Sequence, residues 1–171
     1  MKNKKLLLVI VLLISVISIF GYLNARNMSS KITDEGNIAF IVEEKNTILT
    51  FDEITSLNSK EFRATEDTST SGPTPRKYKG VLLKDELNKA GIDDETIASY
   101  KKTVITGLDG YVIALGTDEI LQKRIVDLAF EKVGKPLGTM KRGGSGPFQM
   151  IATADMFAQR WCKYVIEVRL E

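Results

Sequence analysis

The apolar and polar positions of the chain fall into a front segment and a longer patterned part. From Leu6 to Leu23 the sequence is apolar except for Ser15, Ser18 and Tyr22, and Lys2, Lys4 and Lys5 stand before it. A run of this length is just sufficient to cross a bilayer as a helix, and the lysines place residues 1–5 inside and the remainder outside. A cleaved signal peptide competes with this anchor. Leu23-Asn24-Ala25 puts a large residue where a cleavage site wants a small one, which favours the anchor over removal. Residues 24–36 are polar and read as a tether, and the patterned part is expected to be a domain over residues 37–171.

Within that part, Ile38–Val42 and Thr47–Phe51 are β-rich runs separated by polar residues, which predicts a hairpin. Asp52 is expected to cap a short helix through Leu57, with Phe51 as its staple. Lys60–Thr65 reads as a strand, and Glu66–Lys77, which lacks apolar periodicity, as a loop. Leu82–Lys89 reads as a helix stopped by Gly91, followed by a second helix from Asp93-Asp94 to Tyr100. Thr103–Thr106 and Tyr111–Leu115 form a predicted hairpin across Asp109-Gly110, and Thr117-Asp118-Glu119 caps a helical turn at 119–121. Arg124–Val133 fits a buried strand or a short helix.

The C-terminal stretch joins a glycine turn at Gly143–Gly146, a strand over Phe148–Ile151 that Pro147 opens at its edge, a short helical segment and a closing strand. From Trp161 the pattern has period two. It places Cys162, Tyr164, Ile166, Val168 and Leu170 on one face and Lys163, Glu167 and Arg169 on the other.

Charge and composition narrow the chemistry. The chain has 24 basic and 22 acidic residues; without the three leading lysines, 21 basic residues face 22 acidic ones. The folded part therefore carries no basic surplus of the kind that nucleic-acid binding wants. There is no histidine, which excludes imidazole acid–base catalysis, histidine-ligated zinc and Ser-His-Asp hydrolysis within this chain. The single cysteine, Cys162, excludes an internal disulfide. Its place on an apolar face reads as an inert core thiol rather than a nucleophile.

Gly146-Pro147-Phe148, Arg160-Trp161-Cys162-Lys163 and Val165-Ile166-Glu167 resemble the C-terminal part of the oxidoreductase molybdopterin-binding domain, the fold of sulfite oxidases. Tyr78–Leu87 with Ala90-Gly91-Ile92, and Leu108–Tyr111, extend the likeness over about Asn37 to Glu171. The resemblance implies an α+β, sulfite-oxidase-like fold with mixed and antiparallel sheets and short helices, here preceded by one N-terminal transmembrane helix. It also implies that Arg124–Val133 is a strand. In the family a cysteine thiolate holds molybdenum from the loop that corresponds to Ala64–Arg76, and this interval has no cysteine. No metal ligand and no catalytic residue are therefore assigned, and no cofactor is expected, although molybdopterin belongs to the family.

Arg160 and Lys163 match positions that in the family lie near the phosphate-bearing end of the cofactor. Lys141 and Arg142, with the backbone N–H groups of the glycine run, are further candidates for holding a phosphate. Ion pairing of Arg160 and Lys163 with the abundant acids, and a solvated turn at Gly143–Gly146, are the competing readings. The leading expectation is a membrane-anchored, extracytoplasmic, non-catalytic module for a small anionic or pterin-like ligand or an envelope protein. A molybdenum-cofactor oxidoreductase of sulfite or sulfoxide type with an atypical metal site, and a purely structural envelope domain, are the alternatives.

Overall fold

The computed structural model describes residues 12–20, 36–67, 72–122, 125–155 and 158–171, and divides the chain into two units, Met1–Ile32 and Thr33–Glu171. In the first, residues 12–20 are helical, with Leu12, Ile17 and Phe20 among its exposed apolar side chains. No described helix is long and apolar enough to cross a membrane. Residues 1–11 and 21–35, which hold the leading lysines, both ends of the apolar run and most of the tether, lie outside the described residues.

The second unit is α+β. Its first sheet has the order β2-β1-β10-β5-β6, built from β1 (Ile38–Val42), β2 (Lys45–Leu49), β5 (Lys102–Gly107), β6 (Val112–Gly116) and β10 (Val165–Leu170). Only the β1–β10 pair is parallel, so the sheet is mixed. The second sheet is antiparallel and holds β3 (Lys60–Glu66), β4 (Thr74–Leu82), β7 (Val126–Lys132), β8 (Lys135–Pro136) and β9 (Gln149–Ala152). Strand β7 pairs with β4 on one side and with both β8 and β9 on the other. Short helices α1 (Phe51–Thr55), α2 (Leu83–Lys89), α3 (Asp94–Ser99) and α4 (Thr117–Leu121) complete the unit, with α2 against β4 and β7.

The main core lies where these parts meet. Phe40, Ile105 and Val168 of the first sheet, Val81, Leu128 and Met150 of the second, and Leu83, Leu87 and Ile97 of the helices are all buried there. At about 1.5–3 kcal/mol for each large side chain removed from water, this cluster is the principal source of stability. Strand β7 is buried on both faces. Leu128 and Phe130 enter the main core while Ala129 faces a smaller cluster, which explains why Leu128-Ala129-Phe130 reads as an unbroken apolar triplet rather than an alternation. The strand implied by the resemblance is found there, and the helical alternative is not.

Several sequence expectations shift. The first helix is capped by Thr50, not Asp52: the Thr50 hydroxyl accepts from Glu53 N–H at 3.3 Å while the Glu53 carboxylate accepts from Thr50 N–H at 2.8 Å. This reciprocal box fixes the start two residues early. Helix α4 likewise starts at Thr117, and the Glu119 carboxylate accepts the Gly116 N–H at 2.8 Å.

Both ends of the expected 66–77 loop are strand, since Glu66 ends β3 and Thr74–Lys77 begin β4, paired with Arg63–Glu66; residues 68–71 lie outside the described residues. The ribbon extends beyond β7, whose pairing starts at Tyr78, so Pro75 needs no second neighbour. Polar cross-strand contacts such as Lys77–Glu61 at 2.8 Å take the place of an apolar face.

The period-two pattern of the C-terminus also fails as expected. Tyr164 has φ 54° and a bulge separates Val165 from Glu167. Together they shift the register, so that Cys162, Val165, Val168 and Leu170 are buried while Tyr164 and Ile166 are not fully covered. Strand β9 begins at Gln149, after Pro147, and is flanked by β7 on one side and a bridge from Met150 to Cys162 on the other. That bridge, with Val165 N–H donating to Phe148 O at 3.1 Å, joins the two sheets.

Candidate functional site

A cleft of about 420 Å³ opens where the end of β3, the β7–β8 turn and the glycine loop converge. Glu66, Lys132, Val133, Pro136, Leu137, Gly143, Gly144, Ser145 and Lys163 line it. The loop is built by its own backbone. Met140–Arg142 form a single 3₁₀ turn that closes on Gly143, whose φ of 70° suits a residue without a Cβ. Gly144 passes so close to Leu137 and Gly138 that a Cβ would meet the Leu137 carbonyl oxygen at 2.3 Å. Tyr164 then pins the loop, its hydroxyl donating to Gly144 O at 2.6 Å.

These contacts consume the donors proposed for a phosphate. Gly143 N–H donates to Met140 O at 3.0 Å, Gly144 N–H to Thr139 O at 3.0 Å, Ser145 N–H to Leu137 O at 3.1 Å and Gly146 N–H to Gly138 O at 2.8 Å. The expected N–H cradle is therefore not available: an N–H already bonded within the loop cannot also point at a ligand. What faces the cleft instead is side-chain chemistry. Lys132 Nζ donates to both oxygens of Glu66, at 2.9 and 2.7 Å, and Arg76 Nε lies 3.7 Å from the same carboxylate. Lys163 is exposed and has no ion pair among the described residues. The cleft thus carries one carboxylate paired with two cations and, in Lys163, one uncommitted cation.

Of the four cations singled out in the sequence, only Lys163 lines the cleft. Lys141 and Arg142 sit on the exposed 3₁₀ turn. Arg160 is committed elsewhere: it donates to Glu119 at 3.0 and 2.9 Å and makes two hydrogen bonds to Asp155, one of them at 2.8 Å. Asp155 and then Glu119 push the Arg160 pKa further up, and Arg160 is the main cause holding the Glu119 carboxyl below its ordinary value. The ion-pair reading of Arg160 is the one realised. Sequence inspection missed Lys132 and Glu66 because they lie 66 residues apart and meet only through the β3–β4–β7 pairing.

Beneath the cleft lies the smaller cluster of Ala64, Tyr78, Ala129, Leu137, Ile151 and Trp161, sharing Leu137 with the cleft wall. Tyr78 stacks on Phe62 at 5.8 Å and meets Trp161 edge-on at 5.9 Å. Its hydroxyl is buried without a hydrogen-bond partner, and burial, then the Glu66 charge, raises its pKa. Trp161 donates its indole N–H to Ala152 O at 3.3 Å, so it packs into this cluster rather than lining a groove.

Cys162 points into the main core instead, fully buried, with its thiol pushed up to about 12 by burial and then by the Asp109 charge. A thiol held protonated and enclosed in this way has the environment of an inert core cysteine. Among the described residues no group of three or more His, Cys, Asp or Glu side chains is arranged to hold a metal ion.

No family model matches the chain, and no curated protein matches it. Among solved structures it is similar to the sulfane dehydrogenase SoxCD from Paracoccus pantotrophus, with a TM-score of 0.65 and 17% sequence identity over 81% of this chain and 39% of that one. The likeness shows a shared fold, consistent with the sulfite-oxidase-like fold that the sequence resemblance implies. This chain spans about two fifths of the length of its structural neighbour.

Proposed function

We propose that the chain is a membrane-anchored, extracytoplasmic module that binds a small anion in the Lys132–Lys163 cleft and performs no metal-thiolate chemistry. The observation that carries this reading is the separation of the thiol from the cleft. The sole cysteine is locked in the main core, and the cleft presents lysines, a serine and a paired carboxylate.

The donor set does not fit molybdenum held as the resemblance implies. A thiolate is absent from Ala64–Arg76, and of the two carboxylates in that interval, Glu66 and Asp67, the one that lines the cleft, Glu66, is occupied by Lys132 and Arg76. Anchoring is supported by the apolar run 6–23 behind three lysines and by the exposed apolar side chains of the described helix over 12–20.

The full chain, produced in a host that makes the molybdenum cofactor, is expected to contain far less than one molybdenum per chain by elemental analysis. Titration with sulfate and thiosulfate should show saturable binding. Lys132→Ala should weaken it by about tenfold or more, because it removes one charge-assisted hydrogen-bond donor and leaves Glu66 beside the ligand with only the more distant Arg76, at 3.7 Å, to offset it. Lys163→Ala should weaken it less. Near-stoichiometric molybdenum, with turnover lost on substitution of Lys163, would promote the enzymatic alternative. Absence of anion binding would leave the structural one.

A further inference from the structure

The edge strands of the two sheets are not equally protected. Strand β2 carries Lys45, β3 carries Lys60, Glu61, Arg63 and Glu66, and β8 carries Lys135 and Pro136. Charges and proline on an edge discourage pairing with another strand. Strand β6 ends the first sheet and reads Val112-Ile113-Ala114-Leu115-Gly116, with neither a charge nor a proline. Large apolar side chains stand exposed on and beside it: Val112 at 54%, Tyr111 at 46% and Leu108 at 37%.

The register defines which backbone groups are open. Gly107 N–H donates to Tyr111 O at 2.8 Å and Thr117 N–H to Lys101 O at 3.4 Å, one at each end of the β5–β6 ladder. Between these two hydrogen-bonded pairs the antiparallel alternation turns Ile113 and Leu115 toward β5 and leaves the N–H and C=O of Val112 and Ala114 facing outward. The Gly116 N–H is taken by Glu119, which closes that end of the open edge.

We propose that this edge pairs with β6 of a second copy, antiparallel about a two-fold axis at Ile113. In that register Val112 faces Ala114 of the second copy and the reverse, so the open groups of one edge meet those of the other. Tyr111 faces Leu115, Gly110 faces Gly116 and Asp109 faces Thr117, so no like charges stand opposed. In this register the two Val112–Ala114 pairs carry the hydrogen bonds, and Gly110 and Gly116 lie beyond them with their N–H groups held by Gly107 O and Glu119. A register centred on Ala114 would instead bring Gly116 opposite Val112, inside the paired stretch, and so needs the N–H that Glu119 holds. It is this charge-free, self-complementary pattern that favours a second copy over a foreign strand. The proposal does not depend on the anion-binding reading.

Cysteine cross-linking of the full chain tests it. Residues in a hydrogen-bonded antiparallel pair have Cα atoms about 5.5 Å apart, inside the range that a disulfide spans. A tagged Val112→Cys chain co-expressed with an untagged Ala114→Cys chain should give, on mild oxidation, several-fold more mixed dimer than either variant gives of its own homodimer. Arg63→Cys on the charged β3 edge should give only background. In a second measurement, Val112→Lys, a change at an exposed side chain, should lower the dimer fraction in sedimentation several-fold. Mixed cross-linking no greater than that of Arg63→Cys, or a dimer fraction unmoved by Val112→Lys, would overturn the proposal.

Discussion

The two clusters on either side of β7 differ in what they bury. The main core is aliphatic and aromatic, made from both sheets and the helices, and the helix that covers it brings in one acid, Glu86, fully buried and without a hydrogen-bond partner. The smaller cluster is dominated by Phe62, Tyr78 and Trp161, buries an unpartnered hydroxyl and shares a residue with the cleft. The first stabilises the domain over its whole width; the second supports one wall of a site. Stability and site formation are therefore separable in this fold, and substitutions on the two sides of β7 should have different consequences.

The largest effect is expected in the main core. Phe148 is fully buried and within 6.5 Å, ring to ring, of both Phe51 and Phe130, so Phe148→Ala should cost about 3–5 kcal/mol in urea unfolding. An equal loss from Phe62→Ala, at the rim of the smaller cluster, would erase the distinction.

Glu86 comes next. Burial, then the charges of Asp127 and Asp85, raise its pKa well above the ordinary value, so the folded state keeps the proton that the unfolded chain releases near 4.5. Between these two pKa values the folded state binds more protons, and stability must fall as pH rises. Glu86→Met should therefore stabilise the domain at pH 8 by about 1–3 kcal/mol, with the gain shrinking toward pH 4. A gain independent of pH would show that the acid is not the cause.

Cys162→Ala should cost about 1–2 kcal/mol, and thiol reagents should label the native chain slowly and the denatured chain fast. Rapid native labelling would place the thiol outside the main core. On the other side of β7, Tyr78→Phe should raise stability by about 1 kcal/mol, since it removes a buried hydroxyl that has no partner. Destabilisation there, together with altered anion binding, would show that the hydroxyl serves the cleft.

Most elements were legible in the sequence because local physics defines them. Asp93 caps α3 through Thr96 N–H at 2.8 Å, Gly91 stops α2 with φ 80°, and Asp109-Gly110 turns the β5–β6 hairpin. The inward position of Cys162 was also legible from its apolar character, although it precedes β10 and bridges to Met150 instead of lying within that strand. Where an element takes its partner from afar, reading by pattern failed. Thr74–Lys77 look like loop because their strand is held by polar cross-strand pairs rather than by burial. The face of β10 changes at a left-handed Tyr164 and a bulge, which no alternation of residue types announces.

The same division runs through the site. The sequence by itself determined that no histidine and no second cysteine exist, that the thiol of the resembling family is missing from Ala64–Arg76, and that cations flank the glycine run. Only the tertiary structure decided which cations face a cleft. Lys132 reaches Glu66 across β4, Arg160 is drawn to Glu119 and Asp155, and the glycine loop spends its N–H groups on its own carbonyls. A side chain's charge is a property of the residue, but its availability depends on which opposite charges the chain folds within reach, and that is settled by contacts remote in sequence.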